Sequence, residues 1–133
     1  MEHVIPIRVY YEDTDAGALV YYANYLKFIE RGRTELLRSA GFENKSLLDN
    51  QGIAFVVRHI SADYLKPACL DDLLQVETVV NQIKNASVLM KQAIRRDDEI
   101  IFAADVTLAC IDAKQRIPVR LPADIRQGFE KYA

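Results

Sequence analysis

The hydrophobic pattern of this chain changes period once, near residue 53, and that change limits the folds open to it. Ahead of it, NYLKFIERGRTELLRSAGF carries Tyr25, Leu26, Ile29, Leu36, Leu37 and Ala40 at helical spacings, the stripe of an amphipathic helix of about five turns. Gly41 predicts its stop, because glycine enters the left-handed conformation at little cost. Beyond it, IAFVVRHISADYL, LLQVETVVNQI, SVLMKQAIRR and IIFAADVTLACID are rich in β-branched and apolar residues. KPACLDD, KNA and RDDE separate them, and DAKQR follows the last. Four strands with short links predict an antiparallel meander, with RDDE as a hairpin turn. Val4–Tyr11 predicts a further half-buried strand, with Ile5, Ile7, Val9 and Tyr11 on one side. After Pro122, ADIRQGFEKY predicts a short terminal helix.

One helix cannot cover both faces of a five-stranded sheet. The economical solution is an α+β fold in which a curved antiparallel sheet wraps around the long helix. The sheet edges and face left bare invite a second copy, so a homodimer or homotetramer is expected. Within the helix, Gly32 costs about 1 kcal/mol against Ala, and close approach of another backbone is its expected return. Glu30 with Arg33, and Glu35 with Arg38, stand at ion-pair spacing on the expected solvated face.

With 133 residues, half of them hydrophobic and 27% charged, residues 1–133 suit a single packed domain. A net charge of −2 gives no basic excess for a nucleic-acid partner. MEHVIPIRVYYED lacks a basic segment followed by an apolar run, and no stretch approaches the roughly 20 apolar residues that span a bilayer, so a cytoplasmic protein is expected. Cys69 and Cys110 form no CxxC and are expected to be reduced thiols. GxSxG, GxGxxG and GxxxxGK[ST] are all absent, and neither His3 nor His59 has a metal-ligating neighbour four residues on. No metal and no cofactor is expected. His59 falls inside a strand pattern and reads first as a packing or hydrogen-bonding residue.

What remains is YEDTDAGALVYYANY, residues 11–25. It sets three acids, Glu12, Asp13 and Asp15, at the junction of the first strand and the long helix. A helix start carries unsatisfied N–H groups and about half a positive charge, which suits an oxyanion or a polarised carbonyl. An acid a few residues upstream could attack that carbonyl or activate water to do so. The plainer reading of Asp15 is a turn or cap residue, and that of Tyr21, Tyr22 and Tyr25 is packing.

RVYYEDTDAGALVYYANYLKFIERGRTELLR, residues 8–38, resembles the signature of hotdog-fold acyl-CoA thioesterases of the 4-hydroxybenzoyl-CoA thioesterase family, in particular the YbgC-like branch. The similarity continues through FVVRHISADYLKPACLDDLLQVET, residues 55–78. The resemblance implies a sheet wrapped around a helix, dimers or dimers of dimers with active sites at the subunit interface, and hydrolysis of acyl-CoA or, alternatively, of acyl-carrier-protein thioesters. It places the catalytic carboxylate at Asp15, a structural acid at Asp13, and the carbonyl-polarising backbone N–H at Tyr22. It also implies a basic phosphate contact at Lys84, with Arg58 and Arg116 as further candidates. Val57 and His59, on the strand expected to cross the helix, are candidate acyl-pocket residues. Three positions depart from the branch: Tyr22 replaces histidine, Ala18 replaces glycine, and Cys69 stands where a basic residue is common. Two other readings compete. DTDAG is similar to the nucleophile motif of haloacid-dehalogenase phosphatases, but that fold alternates helices with parallel strands. A non-catalytic acyl-binding hotdog module is the other.

Overall fold

The computed structural model describes residues 1–133. Five strands form one antiparallel sheet: β1 (His3–Arg8), β2 (Ile53–Tyr64), β3 (Leu73–Ile83), β4 (Ser87–Arg96) and β5 (Glu99–Asp112). The long helix α1 (Asn24–Ser39) follows β1, a short turn α2 (Asn44–Ser46) precedes β2, and α3 (Ala123–Glu130) closes the chain. The sheet order is β1-β3-β4-β5-β2. This is the α+β hotdog arrangement expected.

The meander holds only for β3, β4 and β5. β2 lies beside β5, with Ile53 opposite Asp112 and Tyr64 opposite Phe102, and not beside β3. Link length explains the difference. Residues 84–86 and 97–98 are short enough to close hairpins, whereas residues 65–72 are long enough to cross the end of the sheet. β1 is also shorter than its alternation suggests. It ends at Arg8, and Tyr11 begins a tight turn with its side chain in solvent, although Val9 remains buried. Register shifts at Val57/His59, Val80/Gln82 and Ile94/Arg95 mark bulges, which bend a sheet and increase its twist.

α1 lies on the concave face. Tyr25, Phe28, Ile29, Leu36 and Leu37 are buried against Leu74, Val76, Met90, Ile94 and Phe102, while Leu26 points outward. Phe28 is fully buried, worth about 1.5–3 kcal/mol of transfer free energy. At Gly32 the close neighbours are side chains rather than the backbone expected. A Cβ there would lie 2.8 Å from Val76 Cγ1, 3.0 Å from Thr78 Oγ1 and 3.1 Å from Gln92 Nε2. Gln92, itself buried, donates through Nε2 to the Ile29 carbonyl (2.8 Å) and to Thr78 Oγ1 (2.9 Å). Its Oε1 accepts from Arg33 Nη1 at 2.9 Å. Arg33 therefore turns inward instead of pairing with Glu30, which accepts from Thr34. The Glu35–Arg38 pair does form.

Candidate active site

The acid-rich loop is fixed from both sides. Asp13 is buried and structural: its Oδ2 accepts from the Tyr10 N–H at 2.9 Å. Its carbonyl accepts from the Tyr21 N–H at 3.0 Å and from the buried Asn24 Nδ2 at 2.8 Å. The loop is thereby tied to the first residue of α1. Asp15, two residues on, is exposed. Its Oδ1 accepts from the Gly17 N–H at 2.9 Å, which orients the carboxylate and leaves Oδ2 without a partner in the chain. A tight turn closes the loop, with the Ala18 N–H on the Asp15 carbonyl at 3.1 Å and the Asp15 N–H on the Leu19 carbonyl at 2.9 Å. Ala18 sits at φ +58°, a left-handed conformation that costs a non-glycine residue about 1 kcal/mol. That conformation accounts physically for the glycine preference noted at this position.

α1 begins with no side-chain cap and no acid in its first turn. The Tyr22 and Ala23 N–H groups donate no hydrogen bond within the chain. These donors remain available to a ligand, backed by the helix dipole. The Tyr22 side chain is exposed and packs against the rings of Tyr21 and Tyr64.

An aromatic wall surrounds this helix end. Tyr25 stacks on Phe102 at 5.3 Å, and its hydroxyl accepts the Ala68 N–H at 2.9 Å. Burial holds the Tyr25 phenol above its ordinary range. Tyr64, the last residue of β2, was not singled out in the sequence, where a tyrosine closing a strand pattern carries no signal of its own. It packs edge-on to Tyr22, Tyr25 and Phe102, and its hydroxyl donates to the Tyr22 carbonyl at 3.0 Å. Burial and the neighbouring tyrosines raise its phenol as well, which keeps it a donor.

The other predicted residues lie apart from this centre. Val57 lines a pocket of about 160 Å³ between α1, the sheet and α3, with Leu37, Phe55, Met90, Leu108 and Phe129 as its apolar walls. Glu30, Arg33, Thr34 and Asn44 supply its polar side. Neither Asp15 nor Tyr22 lines it. Arg58 is the extra residue of the β2 bulge, and both it and His59 are exposed on this edge strand. Lys84 is exposed in the β3–β4 turn, where its carbonyl accepts from Arg126 Nη2. That turn is at the far end of β3 from residues 66–72, roughly 35 Å away at about 3.3 Å per residue. Arg116 is exposed in the turn after β5, at φ +58°. Within one chain, then, Asp15 and the Tyr22 N–H belong to one hydrogen-bonded unit, and Lys84 does not join it. Cys69 and Cys110 are both free thiols. No group of His, Cys, Asp and Glu is placed to hold a metal ion, and no helix is long and apolar enough to cross a membrane.

The sequence model of the Thioesterase-like superfamily matches residues 9–129. The acyl-CoA thioesterase YbgC of Haemophilus influenzae is 47% identical over 124 residues, covering 93% of this chain and 91% of that protein. The acyl-CoA thioester hydrolase YbgC of Escherichia coli O6:H1 is 39% identical over 127 residues, covering 95% and 94%. A crystal structure of a probable thioesterase from Bartonella henselae superimposes with a TM-score of 0.88 at 38% identity, covering 92% of this chain and all of that one.

Proposed function

The chain belongs to the thioesterase-like superfamily as a YbgC-like acyl-CoA thioesterase, and from that membership we propose that Asp15 and the open start of α1 together perform the hydrolysis. One observation carries the assignment of roles: the loop holding Asp15 is hydrogen-bonded to the first residue of a helix whose leading N–H groups have no partner. The thioester carbonyl oxygen accepts the Tyr22 N–H, and charge developing on that oxygen is stabilised there. Asp15 Oδ2 either attacks the carbonyl carbon, giving an anhydride that water opens, or takes a proton from water as the water attacks. In both routes the C–S bond breaks as the tetrahedral adduct collapses and the thiolate departs; in the first, this is the step that forms the anhydride, before water opens it. With a thiol pKa of about 8.5, the thiolate leaves without a strong general acid. The products are the free acid and the CoA thiol. A side-chain imidazole at position 22 is not required, because the donor is the backbone.

The apolar pocket at Val57 suits the acyl group of a thioester held by the Asp15 and Tyr22 of a second copy. The β2 edge, with Val56, Val57 and Ile60 exposed, suits pairing with a second copy in a homodimer or homotetramer. Lys84, Arg58 and Arg116 would reach CoA phosphates only across such an assembly, and acyl carrier protein is the alternative carrier. The cytoplasm is the compartment in which these substrates are met.

The test is hydrolysis of a panel of acyl-CoA and acyl-carrier-protein thioesters, followed with a thiol reagent, for wild type and Asp15→Asn. Turnover by the wild type and a loss of about 10²-fold or more in the variant are expected. Equal rates in both proteins would remove Asp15 from the chemistry. Binding without turnover by the wild type would leave the non-catalytic acyl-binding module.

A further inference from the structure

Residues 66–72, within the crossing link between β2 and β3, bracket the acid-rich loop. The Val20 N–H donates to the Ala68 carbonyl at 2.9 Å, and the Leu70 N–H donates to the Ala18 carbonyl at 3.0 Å. Leu19 and Cys69 form an antiparallel bridge between these two bonds. Because the Asp15 N–H is bonded to the Leu19 carbonyl, the position of Asp15 depends on where residues 68–70 lie.

Two anchors hold the bracket. One is the buried Tyr25 hydroxyl on the Ala68 N–H. The other is an ionic clamp. Asp72 Oδ2 accepts from the Cys69 N–H at 2.9 Å and from Arg96 Nη1 at 2.9 Å. The same Arg96 nitrogen donates to the Pro67 carbonyl at 2.9 Å, and Nη2 reaches Glu99 Oε1 at 3.3 Å. Arg96 closes β4, so one side chain fixes both ends of the bracket to the rigid sheet. The Arg96 and Asp72 side chains are only 27% and 22% exposed, which lessens solvent screening of the pair. A lysine ammonium lacks the planar fork that serves three acceptors in fixed directions.

We propose that Arg96 is a positioning residue for Asp15, acting through Asp72 and residues 67–70 to set the carboxylate against the thioester carbonyl. It rests on the catalytic reading of Asp15. Arg96 touches no reacting atom; it determines where the reacting atom stands. Misplacement of a reacting group by about 1 Å can cost up to about 10²-fold in rate.

The test compares Arg96→Gln, Arg96→Lys, Asp15→Asn and the Asp15→Asn/Arg96→Gln double variant on one thioester substrate, well below the melting temperature of each protein. Arg96→Gln is expected to lower kcat about tenfold with KM within about twofold, and Arg96→Lys to restore part of the loss. In the Asp15→Asn background the Arg96→Gln change should alter the residual rate less than about twofold, because the group it positions is already gone. A kcat for Arg96→Gln equal to wild type would overturn the proposal. So would a tenfold loss in both backgrounds, which would make Arg96 act independently of Asp15. Either result leaves the catalytic role of Asp15 intact, whereas full activity in Asp15→Asn alone would end both readings. Arg96→Lys, which keeps the charge, supplies the comparison should Arg96→Gln fold poorly.

Discussion

The two ends of α1 are built to opposite rules. At the C-terminal end every device for closing a helix is present. Gly41 takes φ +99°, its N–H returns to the Arg38 carbonyl, and the Phe42 N–H returns to the Leu37 carbonyl, the paired bonds of a Schellman stop. Ser39 and Tyr132 share a 2.7 Å hydrogen bond that docks the last turn onto the chain terminus. At the N-terminal end the corresponding devices are missing. There is no capping side chain and no acid in the first turn, and two N–H groups lie beside exposed tyrosines without partners. The acids close to this end in sequence are directed elsewhere: Asp13 to the Tyr10 N–H, Asp15 to the Gly17 N–H. A helix end left uncapped costs about 1 kcal/mol of stability. The cost is tolerable under the proposed role, in which a substrate oxygen uses the free donors.

Closing the open end should therefore act on stability and activity in opposite directions. Tyr21, whose carbonyl accepts the Asn24 N–H, stands two residues ahead of the cap residue Ala23, next to the free donors. Tyr21→Asp is expected to raise stability by about 0.3–1 kcal/mol by setting a carboxylate at the positive end of the helix dipole, seen as a higher melting temperature. It should also lower kcat about tenfold, because a carboxylate then competes for the donors and repels the developing oxyanion. A rise in both stability and kcat would break the contrast between the two ends. Disturbing the closed end should act on stability alone. Gly41→Ala has room for its methyl but places it at positive φ, at an expected loss of about 1–2 kcal/mol in denaturant unfolding with kcat unchanged.

The smallest effect concerns His3, whose ring meets Tyr132 edge-on at 5.5 Å beneath the closed end. His3 Nδ1 is buried without a partner, and burial lowers the imidazole below its ordinary 6.5 against the smaller opposing pull of Glu35. The unfolded chain therefore takes up this proton first. Stability is full above about pH 6.5 and declines as pH falls through that value, where the unfolded state binds more protons. A modest fall in melting temperature between pH 7.5 and 5.5, reduced in His3→Gln, is the expected observation. No dependence on residue 3 would remove it.

Much of this was legible in the sequence because it is local. The β-branched runs of β2 to β5, the RDDE hairpin and the Gly41 stop are written in short windows, and the observed elements follow them closely. The placement of β2 beside β5 was not, because it depends on a link crossing the sheet rather than on any residue preference. Arg33 misled for a related reason: three residues from Glu30 it reads as a surface ion pair, but buried Gln92 offers a better acceptor from another strand. The start of α1 carries no cap signal for the sequence to show, since its donors are left free. Asp13 and Asp15 are equivalent as residue types, and what separates the buried acid from the exposed one is the folding of the loop back onto Tyr21 and Asn24, which no local residue preference displays. Tyr64 and Arg96 act on residues 42 and 24 positions away in the chain, beyond the reach of pattern reading.

The most direct test of the open helix end removes a single hydrogen. Replacing Tyr22 by its α-hydroxy acid counterpart turns the peptide N–H into an ester oxygen and keeps the side chain. That N–H makes no bond within the chain, and the one bond affected is that of the Asn24 N–H to the Tyr21 carbonyl, which becomes a weaker ester acceptor, so the melting temperature should fall only slightly, while kcat on an acyl-CoA substrate falls about 10²–10³-fold. A kcat within twofold of the wild type would show that the start of α1 does not polarise the thioester, and would contradict the account.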